Sequence, residues 1–152
     1  MTLPTWSTRF AHDAWANRRI LAAMIEQDWT TGEHGATLAH LLGWQRVWHA
    51  RLTGADTTGL ADFPAPTREL LEQWVQESAE CWSTFTANLT EADVAAEITH
   101  TATEGGEYTN ALGTILHQLV THGVHHRSQI STALRKAGVA PPGLDFIQFM
   151  HS

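Results

Sequence analysis

Ten histidines in a chain of 152 residues are its first chemical feature. Imidazole is the commonest protein metal ligand and the side chain whose ordinary titration falls nearest neutrality. Four of the ten, His117, His122, His125 and His126, crowd the run ILHQLVTHGVHHRSQI. His122 and His126 are four positions apart, so on a helix both rings project from one face, one turn apart. Two imidazoles placed that way can grip a single cation. At about 100° per residue, Leu112, Ile115, Leu116, Leu119, Ile130, Ala133, Leu134 and Ala137 define the apolar stripe of that helix, and His122 and His126 continue it. His125 turns to the flank or to solvent, and His117 lies about 140° round from His122, outside any shared site. One core histidine is ordinarily a hydrogen-bonded packing residue. Two of them replacing the Leu or Val of a stripe need more explanation, because each buried ring without a partner costs about 1–3 kcal/mol. A shared metal ion satisfies both.

A third ligand has to come from another element. His40 and His49 on the preceding histidine-bearing helix are the candidates, with His12 a weaker one. Helical phase does not choose between His40 and His49, since each lies at an edge of the stripe made by Leu41, Trp48 and Leu52. Cys81 is the only cysteine. It lies mid-helix with no basic neighbour, so it reads as a small core residue rather than a nucleophile. No Ser-His-Asp pattern, P-loop or Gly-rich dinucleotide motif is present.

The elements that must position these histidines follow from periodicity and caps. Trp6, Phe10, Ala14, Asn17, Leu21 and Met24 predict a helix over 6–27, capped by Ser7 or Thr5 and broken by residues 28–32. A second helix runs from about Gly35 to Leu52, with Leu38, Leu41, Gln45, Trp48 and Leu52 on one side, and Thr53-Gly54 ends it. Residues 54–66, with Pro64 and Pro66, make a long crossover loop. Thr67 caps a third helix through Leu89. Segments around Glu104-Gly105-Gly106, from Val94 to Thr99 and from Glu107 to Thr109, predict a short irregular hairpin. Asn110 is expected to cap the last long helix, residues 111–137, which Gly138 and Pro141-Pro142 stop. The apolar tail 144–150 docks as a helical turn. The fold class is therefore all-α: one domain over 1–152, a four-helix bundle with a long crossover loop and a short irregular hairpin before the last helix.

Composition narrows the function classes. Hydrophobic residues make up 43% and charged residues 16%, which supports one continuous core and excludes a disordered chain. The formal charge is −7, from 9 basic and 16 acidic residues. No basic stripe is dense enough to neutralise phosphates, so no nucleic-acid partner is expected. No apolar run approaches the ~18 residues of a membrane span. With no signal pattern and a lone cysteine, the cytoplasm is the expected location. Seven tryptophans are more than one small core easily hides, and a homodimer is expected.

Four stretches together resemble a known family. In the run from His40 to Leu52, a histidine is followed eight residues later by Trp48 and then by Arg51-Leu52. This resembles the second-helix motif of the DinB family of metalloenzymes. The run from His122 to Gln129 resembles the family's His-x-x-x-His-Arg-Gly-Gln motif, with Ser128 in place of the usual glycine. Trp15-Ala16-Asn17 resembles its first helix and Pro141 to Asp145 its closing segment. The resemblance implies a four-helix bundle in which His40, His122 and His126 hold a divalent metal ion. His49 falls where the family has an apolar residue, which moves it to a helix-surface or supporting role. Arg127 is read as a structural partner that orients helices. Gln129, one turn from His126, can hydrogen-bond a ligand ring or a bound water.

Three neutral imidazoles leave a cation with its charge and open positions, whereas a closed structural site more often has four protein ligands. Zinc or nickel suits such a site, one ion per chain. Some relatives are metal-dependent transferases of a low-molecular-weight thiol such as mycothiol or bacillithiol, and others resemble hydrolases. The expectation is a metal-dependent enzyme that transfers a small-molecule thiol, in a pocket walled by Trp44 and Trp48. The alternatives are a metal-dependent hydrolase and a non-enzymatic metal-binding stress-response protein.

Overall fold

The computed structural model describes residues 3–152. Four long helices dominate it: α1 (Trp6–Glu26), α2 (Gly32–Thr53), α3 (Arg68–Thr86) and α5 (Leu112–Lys136). Between α3 and α5 come a one-turn helix α4 (Glu91–Ala95) and two strands, β1 (Glu97–Thr101) and β2 (Glu107–Ala111), and the chain closes with the short α6 (Phe146–Met150). Helix α1 packs against α3 and α5, and α2 also packs against α3 and α5. The four long helices thus share one interior.

Local chemistry explains the helix ends. Thr5 Oγ1 accepts from the Thr8 amide and Thr67 Oγ1 from the Leu70 amide, which satisfies donors left free in the first turns of α1 and α3. Thr90 and Asp93 form a reciprocal capping box that holds α4. Gly54 and Gly138, both at positive φ, let the chain leave α2 and α5.

Three boundaries differ from the sequence expectation. The break before the second helix holds over residues 28–31, but α2 opens at Gly32 after Thr31 at the N-cap position, three residues ahead of Gly35. Helix α3 stops at Thr86, three residues short of Leu89. Asn110 is not a helix cap. It sits in β2 opposite Ile98 and accepts from His100 Nε2 at 3.1 Å, and Ala111 takes the N-cap position. The hairpin is regular, with Glu97↔Ala111 through Thr101↔Glu107 paired antiparallel, and Val94-Ala95 belong to α4 instead.

Two apolar clusters fill the interior. One gathers Ile20, Met24, Leu38, Leu41, Leu42, Leu71, Trp74, Ile130 and Leu134, and the other Phe10, Trp82, Leu112, Ile115, Leu116 and Leu119. On each long helix a polar residue falls between members of the two clusters: Asp13 and Asn17 on α1, Gln45 on α2, Ser78 on α3 and Arg127 on α5. All five are buried. Arg127 Nη1 donates to Asp13 Oδ1 at 2.6 Å and to Asn17 Oδ1 at 2.7 Å. Gln45 Nε2 donates to Asp13 Oδ2 at 2.7 Å, and Gln45 Oε1 accepts from Ser78 Oγ. Every long helix is tied to this one carboxylate, directly or through Gln45, so the polar seam fixes the register in which α2 and α5 face each other.

Candidate metal centre

That register brings His40 of α2 opposite His122 and His126 of α5. The Nε2 atoms of His40 and His122 are 3.2 Å apart, and those of His122 and His126 are 3.0 Å apart. One ligand atom from each of the three rings lies within 4.8 Å of the others. All three side chains are half-buried.

The phase of α5 differs from the sequence reading. Its deepest positions at this level are Gly123 and Arg127, and His122 and His126 flank the apolar stripe instead of continuing it. The reason lies on α1. A Cβ at position 123 would come within 2.6 Å of Asp13 Oδ1, so only glycine lets the Asp13–Arg127 pair pass beside the α5 backbone. The ion pair takes the interior, and the histidines are turned toward α2.

Tautomer and charge suit a cation. Gln129 Oε1 accepts from His126 Nδ1 at 2.8 Å, which places that ring's proton on Nδ1 and leaves the Nε2 lone pair facing the cluster. Burial, then the neighbouring His126, His40 and His125, lower the His122 pKa to about 4, with Asp13 acting weakly the other way. Burial and His126 lower that of His40 as well. The rings of His40 and His122 are therefore neutral at pH 7. Neutral imidazoles whose Nε2 atoms face one another offer lone pairs that a cation can take up in place of a shared proton. Tetrahedral ligands at the usual zinc–nitrogen distance of about 2.0–2.1 Å stand roughly 3.3 Å from one another. The spacings of 3.0 and 3.2 Å are close to that edge. The donor set fits a divalent ion.

The remaining aromatic and histidine side chains sort by distance. Trp44 meets His40 edge-on, with ring centroids 6.4 Å apart. Phe63 was not foreseen at the site. It stands 6.3 Å from His40 and 5.8 Å from Trp44, because the bare backbone of Gly43 lets the crossover segment press its ring onto α2. Trp48 is turned to the hairpin, 4.7 Å from the His100 ring, with Arg51 stacked over it at 4.8 Å. His49 packs against Trp82 and Phe85, toward α3. His117 and His125 are exposed, and His125 Nε2 accepts a long contact of 3.4 Å from Gln129. His12 is buried and donates to the Leu144 carbonyl at 2.7 Å. Cys81 is half-buried between α2 and α3, and burial together with Glu77 and Glu80 raises its thiol pKa.

A mostly helical protein with three convergent imidazoles defines a class, a helical scaffold with a cluster compatible with metal binding. The model of the DinB family matches residues 8–152, nearly the whole chain, and the protein belongs to that family. No curated protein and no solved structure matches the chain. No helix among the described residues is long and apolar enough to cross a membrane.

Proposed function

We propose that His40, His122 and His126 hold one zinc or nickel ion, and that the protein is a metal-dependent enzyme of the DinB type that transfers a small-molecule thiol. The four long helices are read as the four-helix bundle of that family. The observation that carries the metal reading is the meeting of three imidazoles from two helices, with ligand atoms all within 4.8 Å and the two contacts of His122 near the length of a tetrahedral edge. A divalent cation there supplies Lewis acidity, favouring the deprotonated form of an incoming thiol. The chain's own groups bind and orient. His40 and His122 stay neutral at pH 7, Gln129 holds His126 in the ligating tautomer, and Trp44 with Phe63 shields one side from water. Cys81 does not serve as the nucleophile, since burial with Glu77 and Glu80 raises its pKa and it lies between α2 and α3. In a thiol transfer the sulfur therefore comes from a second molecule.

Elemental analysis of untagged protein purified without added metal tests the first part, with about one zinc or nickel per chain expected. The second part is tested on cobalt-substituted protein titrated with 2-mercaptoethanol. A sulfur-to-metal charge-transfer band is expected in the wild type and absent in His126→Ala. An unchanged spectrum at millimolar thiol rejects thiol transfer and leaves the metal site standing.

A further inference from the structure

Arg127 has more donors than its ion pair uses. Its side chain is 2% exposed, and both of its hydrogen bonds, to Asp13 and Asn17, leave from Nη1. A guanidinium carries five N–H groups. Nε and Nη2, with three of them, have no hydrogen-bond partner among the described residues. Among the described residues neither nitrogen is completely sealed from solvent. Arg127 lines a cleft of about 400 Å³ between α5 and the non-helical segment 139–145, and none of the three convergent histidines lines it.

The rest of that cleft matches the arginine. Arg127, Ser131 and Arg135 recur at four-residue intervals, so they share one face of α5 and all three line the cleft. Ser128 and Thr132 add hydroxyls beside them. The opposite wall is held in place from α1: His12 Nε2 donates to the Leu144 carbonyl at 2.7 Å and Arg19 Nε to that of Gly143 at 3.0 Å. The cleft is thus formed before any ligand enters. Asp145 is the one carboxylate on its wall, and it makes no side-chain capping bond to α6.

We propose that this cleft binds the carboxylate or phosphate group of a small molecule, at a site separate from the three-histidine cluster. The free Nε/Nη2 edge of Arg127 offers two parallel N–H donors, the fork that receives two oxygens of one oxyanion. Ser131 donates from the same face, and Arg135 supplies the positive charge that Arg127 has already spent on Asp13. Asp145 repels the ligand and sets an upper limit on affinity. The volume lies within the usual range of small-molecule sites, about 300–1,000 Å³.

The test is a titration of the full chain with sodium phosphate and, separately, sodium acetate. Ionic strength is held constant with sodium chloride, and the arginine Nε–H resonances are followed by ¹H–¹⁵N NMR. A saturable shift of one buried arginine Nε–H is expected, and it should persist in His40→Ala, where the histidine cluster is broken. Ser131→Ala and Arg135→Ala should each weaken the midpoint by roughly three- to tenfold, the size of one ordinary hydrogen bond. Asp145→Asn should tighten it severalfold. Saturation by phosphate alone identifies a phosphate ligand, and by acetate alone a carboxylate. Shifts that never saturate overturn the proposal. So does binding that vanishes in His40→Ala while Arg135→Ala leaves it unchanged.

Discussion

His122 stands at the centre of the cluster, in contact with His40 across the helix interface and with His126 along α5. Replacing His40, His122 or His126 by Ala should empty the site in elemental analysis, whereas His49→Ala, His117→Ala and His125→Ala should retain about one ion per chain. Gln129→Ala, which frees the His126 tautomer, should weaken metal affinity by about 10–100-fold without unfolding the protein. Acid gives a further test. In the metal-free fold His122 titrates at about 4 against an ordinary 6.5. Between those values the unfolded chain binds the extra proton. The contribution of His122 to stability is therefore fully present above pH 6.5 and is lost as the pH falls toward 4. Thermal midpoints of metal-free protein across that range should show the decline, and His122→Gln should flatten it. At this scale the sequence was informative about one helix only. The i, i+4 pair on α5 was legible from spacing, but His40 and His49 stood equally at the edges of a stripe. Nine residues along a helix turn them about half a circle apart, and only knowledge of which side of α2 meets α5 separates them. The family resemblance favoured His40, and His40 is the ring that faces the cluster.

The elements were legible where apolar spacing and threonine caps agree, as in α1 and at the start of α3. They were misread where a polar residue does the work of a core residue. Gly123 and Arg127 look like gaps in the α5 stripe, so the reading shifted by one residue onto His122 and His126. Gln45 on the apolar side of α2 and Asn17 on that of α1 were the available signals that polar groups meet inside. Asp13 had none, because its partner lies more than a hundred residues away. The ion pair it makes with Arg127 is buried on both sides. Removing one member of such a pair leaves an uncompensated charge, at a cost of about 3–5 kcal/mol. Arg127→Ala should therefore lower denaturant stability by about that much, with Asp13→Asn recovering part of the loss in the double variant. Gly123→Ala should also destabilise, since its methyl group would displace the Asp13 carboxylate. A Gly123→Ala protein as stable as the wild type would mean that α5 sits farther from α1 than the structure places it.

Across the whole molecule, the tryptophans lose their part in the case for a dimer. Trp74 and Trp82 are buried, and the other five are half-buried against partners in the same chain. Trp6 lies under Arg9, Trp15 under Arg19 and against Phe149, Trp29 on His34, Trp44 on Phe63, and Trp48 between Arg51 and His100. Each of these indoles has a partner in its own chain. The apolar surface lies elsewhere. Val124 on α5 is 49% exposed, and Ile147 and Met150 on α6 are 68% and 54% exposed. Single exposed apolar residues are ordinary, but two on one short helix that packs against α1 concentrate apolar area at the chain's closing segment. The expected homodimer is tested first on these exposed side chains. Light scattering at micromolar concentration should then give a dimer mass, and Ile147→Asp with Met150→Asp should shift it to the monomer without changing metal content. The three histidines all come from one chain, so metal binding should not depend on dilution. A monomeric mass for the wild type across the micromolar range would reject the dimer. A dimer untouched by the α6 double variant would place the contact on another face.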